Sequence, residues 1–180
     1  IGLQLYNGSE YLEGMLAAYK LRAVPININY HYVTGELQYL YNDADLVAVV
    51  THQAFAPHVA EVVNLAGKLR HVFSVADTSG AAVDPGFHDY EKALAQSSDV
   101  RDFAPRDSDD LYIVYTGGTT GMPKGVMWHH RDIFFGAMGG GDLDQSRGPI
   151  KEPAELAGRI GDMAPAALPA PPFMHAAAQW

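Results

Sequence analysis

The segment Tyr115-Thr116-Gly117-Gly118-Thr119-Thr120-Gly121-Met122-Pro123-Lys124-Gly125 holds the densest chemistry in the chain. Three glycines and three threonines lead into a Pro-Lys pair. Glycines let the backbone take positive φ and let amide N–H groups converge on an anion. Threonine hydroxyls add donors, and Lys124 adds a compact positive charge suited to phosphate. Pro123 fixes the backbone just before that lysine. Together these residues describe a cradle for a polyphosphate. It is not the G-x-x-x-x-G-K-[ST] loop, because Met122 and Pro123 separate Gly121 from Lys124 and Gly125 follows the lysine. It is not a G-x-G-x-x-G dinucleotide fingerprint either.

A cradle needs a strand to hold it, and Leu111-Tyr112-Ile113-Val114-Tyr115 leads straight into the loop. Extended structure resumes at Val126-Met127-Trp128. Upstream, Leu3 to Tyr6 alternate weakly and end at Asn7-Gly8, a turn signal. Ser9 is expected to cap a helix running to Arg22, with Leu12, Met15, Leu16 and Tyr19 at helical spacing. Residues 23–28 read as a short strand or extended loop around Pro25. Thr34 is expected to cap a helix to about Asn42, with Leu37, Leu40 and Tyr41 on one face.

Leu46 to Val50 is a continuous apolar run of the kind buried on both faces of a parallel sheet. A helix is expected over residues 54–68, a strand over 71–75, a surface loop over 77–87 and a short helix over 89–95. Asp99 to Asp110 reads as a solvated connection. Asp132 is a candidate cap for a helix ending at Gly139-Gly140-Gly141, and one more helix is expected at residues 154–160. Alternating strands and helices predict an α/β fold with a mostly parallel sheet and flanking helices.

Composition narrows the functions. The 180 residues carry 12 Lys+Arg against 21 Asp+Glu, a net charge of −9. The sequence pI near 5.2 and the lack of a basic stripe argue against nucleic acid as a partner. Apolar residues make up 48%, enough for a real core. Without cysteine there is no disulfide, thiolate nucleophile or Cys-based zinc site. No apolar run reaches the roughly 18 residues of a transmembrane span, and no signal-peptide order opens the chain, so the expected location is cytoplasmic. The chain opens at Ile1 within an apolar stretch and stops at Trp180 without a polar tail. Both ends therefore read as cuts in a longer protein.

The glycine-threonine segment resembles the signature loop of the adenylate-forming enzymes, which include acyl-CoA synthetases, peptide-synthetase adenylation domains and luciferases. Their usual form is Tyr-Thr-Ser-Gly-Thr-Thr-Gly-x-Pro-Lys-Gly, with Gly117 here in place of Ser. Residues 7–27, from Asn7-Gly8-Ser9 through Val24-Pro25-Ile26-Asn27, are similar to the early helix and Pro-Asn turn of fatty-acyl-CoA synthetases. Pro172-Phe173-Met174-His175 is similar to the family's next motif, an apolar-aromatic run ending in His.

The resemblance implies that residues 1–180 are part of the large N-terminal domain. On that reading 1–76 form an α/β segment, 77–110 a loop and short helix, and 111–180 the phosphate loop and the start of the acyl site. It implies ATP-dependent activation of a carboxylic, fatty-type acid through an acyl-adenylate to its CoA thioester, with ATP, Mg2+ and CoA as the small molecules. Thr116, Gly117, Gly118, Thr119, Thr120, Gly121 and Lys124 would hold the β- and γ-phosphates, and Thr116 is also a candidate magnesium ligand. His175 would sit near the substrate carboxylate, with Phe173, Met174 and Trp180 lining apolar surface, or else pack in the core. The adenine-stacking segment and the adenylation lysine of the family would lie beyond Trp180, so the piece alone is expected to be inactive.

Transfer to a carrier-protein thiol in place of CoA, or an inert truncated product, are the alternatives. Other features have plainer readings. His129-His130 point to opposite faces and share no ion. Gly139-Gly140-Gly141 ends a helix. Asp107, Asp109 and Asp110 form a solvated acidic turn, and the Tyr11, Met15 and Tyr19 stripe is core. His31, His52, His58, His71 and His88 show no ligand spacing.

Overall fold

The computed structural model describes residues 1–117, 121–142, 145–159 and 168–179. A seven-stranded sheet organises them, in the order β5-β4-β3-β1-β2-β6-β7. The strands are β1 (Gly2–Gln4), β2 (Ile26–Asn27), β3 (Ala48–His52), β4 (His71–Val75), β5 (His88–Asp89), β6 (Leu111–Thr116) and β7 (Lys124–His129). The first six run parallel, and β7 alone pairs antiparallel, against β6. The helices are α1 (Ser9–Lys20), α2 (Thr34–Asp43), α3 (Ala56–Val62), α4 (Tyr90–Gln96), α5 (His130–Gly136) and α6 (Ala154–Arg159).

Successive side chains on a strand face opposite ways, so the sheet builds two cores. Val49 joins Leu37, Leu40, Tyr41, Val59 and Val62 beneath α2 and α3. Its neighbour Val50 joins Leu3, Leu5, Tyr11 and Tyr90 beneath α1 and α4. Tyr112, Val114 and Ile133 form a smaller cluster that seats α5 on β6.

Several local expectations change. Ser9 does not cap α1: Gly8 holds that place, with no side-chain bond. The buried face of α1 is Tyr11 and Ala18, with Met15 half-buried, whereas Leu12 and Leu16 face out. The reason is Gly14, where a Cβ would come within 2.9 Å of Leu3 Cδ2. The helix rolls to bring its smallest residue against β1. Arg22 lies past the helix in the left-handed region, φ 56°. There it closes a Schellman turn, with Ala23 N–H on Ala18 O at 2.9 Å and Arg22 N–H on Tyr19 O at 3.1 Å.

Thr34 does not cap α2 either. The Glu36 carboxylate accepts the Val33 N–H at 3.0 Å, while the Thr34 hydroxyl bonds to Glu61. The run expected from residue 46 becomes a strand at Ala48, because the turn closing α2 takes Asp45 and Leu46. The helix expected over 54–68 divides into 3-10 turns on either side of α3. Asp132 does not cap α5, which begins at His130.

Candidate functional site

The hairpin of β6 and β7 presents the glycine-threonine loop, and its base is fastened by acids. Arg22 donates to Asp110 from Nη2 at 2.7 Å and from Nε at 2.9 Å, and Asp109 pairs with Arg131. The Arg22 bonds, with the Asp107 N–H beside them, hold the Asp110 carboxyl below its usual range. These acids are structural ties where a merely solvated turn was expected. The tie reaches from the end of α1 to the start of β6.

At the other end of β6, Tyr115 turns its ring into the first core and donates its hydroxyl to Asp43 Oδ2 at 2.6 Å. Burial, then that carboxylate, push the phenol well above its ordinary range, so it stays a donor. Thr116 follows at the rim and stands opposite Lys124 in the hairpin register. Lys124 is exposed. Gly121 has φ 137°, a conformation that favours glycine. Pro123 is buried and anchors the return of the loop. Gly118, Thr119 and Thr120 lie outside the described residues, as does Trp180.

A cleft of about 300 Å³ opens at the carboxyl ends of β2 and β6, lined by Asn27, Asn29, Tyr32, Thr116, Gly117 and His175 among others. Ligands of open parallel sheets bind at this edge. The structure thus brings Thr116 and Gly117 together with His175, which is 58 or more residues further along the chain. His175 is exposed toward the cleft and is not a core histidine. Met174 lines the cleft too, but Phe173 turns into the second core, its ring stacked on Tyr11 at 5.3 Å. A Cβ on Gly117 would meet Tyr32 Oη at 3.6 Å, an ordinary contact, so a serine fits there and glycine is not sterically required. Burial and Glu36 push the Tyr32 hydroxyl up, which keeps it protonated as a donor at the cleft wall.

The segment carrying His175 is held by asparagines from the other end of the chain. Asn7 Oδ1 accepts the Phe173 N–H at 2.7 Å, and Asn7 Nδ2 donates to Pro171 O at 3.2 Å. Asn27 Nδ2 donates to Met174 O at 2.6 Å. Gln179 ties the same stretch to Tyr112 and Tyr11. From the sequence, Asn7 is expected in a turn, and the family resemblance puts Asn27 in a Pro-Asn turn. The usable signal was Asn27 itself, a polar residue of low strand propensity inside a strand.

The lining of the cleft includes no carboxylate, and no group of three His, Cys, Asp or Glu side chains converges among the described residues. Thr116 therefore stands there without the acidic partners that proteins usually give magnesium. His129 and His130 diverge as expected: the ring of His129 meets Asp109 O, and His130 packs edge-on to Tyr19. His71 and His88 do come together, ring nitrogens 3.4 Å apart at the sheet edge. Met15 and Tyr19 pack against the cores as expected, and they also line an apolar hollow of about 430 Å³ between α1 and α5. No helix among the described residues is long and apolar enough to cross a membrane.

A mostly parallel sheet whose carboxyl edge brings a glycine-threonine hairpin beside a distant histidine defines an α/β protein with a cleft at its strand ends. The chain belongs to the AMP-binding enzyme family, whose model matches residues 1–178. It is 42% identical over 181 residues to the medium-chain acyl-CoA ligase Mig of Mycobacterium avium, covering 100% of this chain and 33% of that protein. It is also 42% identical, over 185 residues and with the same coverages, to the 3-oxocholest-4-en-26-oate–CoA ligase of Rhodococcus rhodochrous. Among solved structures, an anthranilate CoA ligase in complex with anthranoyl-AMP superposes with a TM-score of 0.69 at 23% identity, over 78% of this chain and 27% of that one. The fold is thus part of the N-terminal domain of adenylate-forming enzymes, and the chain spans about a third of the length of the curated relatives it matches.

Proposed function

We propose that the protein activates an apolar carboxylic acid, of medium-chain or sterol side-chain type, as its adenylate and passes the acyl group to CoA. The observation that carries this reading is the cleft in which Thr116 and Gly117 face His175. One flank offers hydroxyl and backbone donors for phosphate, with Lys124 across the hairpin. The other offers an imidazole beside the apolar Met174. Relatives named as CoA ligases for such acids support CoA over a carrier-protein thiol as the acceptor.

The chemistry asks little covalent work of these residues. A carboxylate oxygen of the acid attacks the α-phosphorus of ATP, and the bond to the bridging oxygen of pyrophosphate breaks. The acyl-adenylate then loses AMP when the CoA sulfur attacks the acyl carbon. Charge moves onto the departing pyrophosphate, so donors preset around it lower the barrier. Thr116, Gly117, Gly118, Thr119, Thr120, Gly121 and Lys124 take that role. His175 orients the carboxylate for in-line attack. A magnesium ion would ride chiefly on the phosphates, with the Thr116 hydroxyl as a candidate protein contact.

The test is acid-dependent exchange of labelled pyrophosphate into ATP, measured on the full-length protein that contains this chain. A medium-chain fatty acid is expected to start exchange. Lys124→Ala is expected to weaken kcat/KM for ATP by about tenfold or more, the loss of one charge–phosphate contact. ATP turnover indifferent to any carboxylic acid would overturn the reading.

A further inference from the structure

Asn27 ends β2 and is 6% exposed. Its side chain makes three hydrogen bonds, all to distant backbone. Oδ1 accepts the Tyr115 N–H at 2.7 Å, and Nδ2 donates to Tyr115 O at 2.9 Å. The second hydrogen of Nδ2 goes to Met174 O at 2.6 Å. The main chains of β2 and β6 register at Ile26 and Ile113. Two residues further along β6, the carboxamide takes the place of a peptide group and satisfies both main-chain groups of Tyr115. Tyr115 immediately precedes Thr116, and Met174 immediately precedes His175. A single planar amide therefore fixes the residue before each flank of the cleft.

We propose that Asn27 is a positioning residue that couples the phosphate flank to the carboxylate flank. The inference rests on the function proposed above and adds the device that keeps the two substrates in register. Only a carboxamide fits the three partners, one donor and two acceptors. Aspartate has the same shape but turns an oxygen toward two carbonyls. Burial and those carbonyls would raise its pKa and favour the protonated form, which regains one donor. Asn7 supplies the contrast, since it holds Pro171 and Phe173 but makes no bond to β6.

The experiment compares variants of the full-length protein in the pyrophosphate-exchange assay. Asn27→Asp is expected to raise KM for both ATP and acid by about tenfold, since each flank loses its fixed partner. Its kcat is expected to fall about 100-fold, the scale of an ångström-sized misplacement. Relative to the unaltered protein, Asn27→Asp activity should recover as pH is lowered. Asn27→Ser, smaller and uncharged, guards against a folding failure and should move both KM values in the same direction. Asn7→Ala should raise KM for the acid alone.

The proposal is overturned if the Asn27 variants melt earlier but leave both KM values unchanged, if only one KM moves, or if Asn7→Ala moves both. Should the unaltered protein show no acid-dependent exchange, it is the proposed function that fails. Hydrogen exchange of the full-length protein then decides the coupling alone. Asn27→Ser must release the amides of 115–117 and 175–176 together, and protection lost on one side only refutes it.

Discussion

Strands β3 and β7 read alike in the sequence and end in opposite surroundings. Both carry runs of apolar residues, residues 46–50 before and into β3 and Val126-Met127-Trp128 in β7. In β3 Val49 is 0% exposed, whereas Met127 in β7 is 67% exposed. The cause is position in the sheet. β3 lies between β1 and β4 with a helix layer on each face, and among the described residues β7 pairs with β6 alone. The six parallel strands therefore form a packed platform, and β7 is an outer arm that leads back from the loop along β6. Burial is concentrated in the first and exposure in the second.

The sharpest way to break that comparison is to cut equally into both halves. Leu40→Ala removes a fully buried side chain of the first core and is expected to cost about 2–5 kcal/mol in urea unfolding. Val126→Thr on the arm is expected to stay within about 0.5 kcal/mol. Equal losses would refute the division. Gly125→Val probes where the arm touches the platform. A Cβ there stands 3.0 Å from both Ile113 Cγ2 and Tyr115 Cε2, so overpacking of about 1–3 kcal/mol is expected, together with weaker nucleotide binding. Lowered stability with unchanged ATP affinity would show that the arm tolerates a shifted base.

The smallest effect concerns pH. The His52 ring accepts the Tyr6 N–H on Nδ1 at 3.1 Å. Burial lowers its pKa below the ordinary 6.5, against opposing pulls from Asp77 and Glu10. The unfolded chain then binds the proton more readily, so this histidine adds stability above pH 6.5 and loses it as pH falls through the lowered folded value. His52→Asn keeps an acceptor without the titration. Its melting temperature should trail that of the unaltered protein by a constant gap above pH 6.5, and the gap should narrow in acid. A gap independent of pH would mean that His52 does not titrate across this range.

Much of the fold was legible because its signals are local. The periodicity of α2 and the apolar run behind it lie within one short stretch, and both elements form, the strand beginning two residues later than the run. Leu12 and Leu16 misled because helical spacing marks a stripe but not which way the helix rolls. Gly14 against Leu3 decided that, and Leu3 belongs to another element. The strand His88–Asp89 has no pattern of its own and exists through its pairing with Phe73 and Ser74 of β4.

The site divides the same way. The segment from Thr116 to Lys124 is contiguous, so its glycines, hydroxyls and lysine mark a candidate anion site before any fold is known. His175 was legible through the Pro-Phe-Met-His run. Asn27 was not, because its partners lie 88 and 147 residues away. By itself the sequence determined the alternation of strands and helices and the family. The tertiary structure alone decided which face α1 buries, that β7 returns antiparallel, and that one amide spans both flanks of the cleft. The physical reason is range: propensity and loop chemistry act between neighbours, whereas a hydrogen bond across the sheet depends on where the whole chain has already been packed.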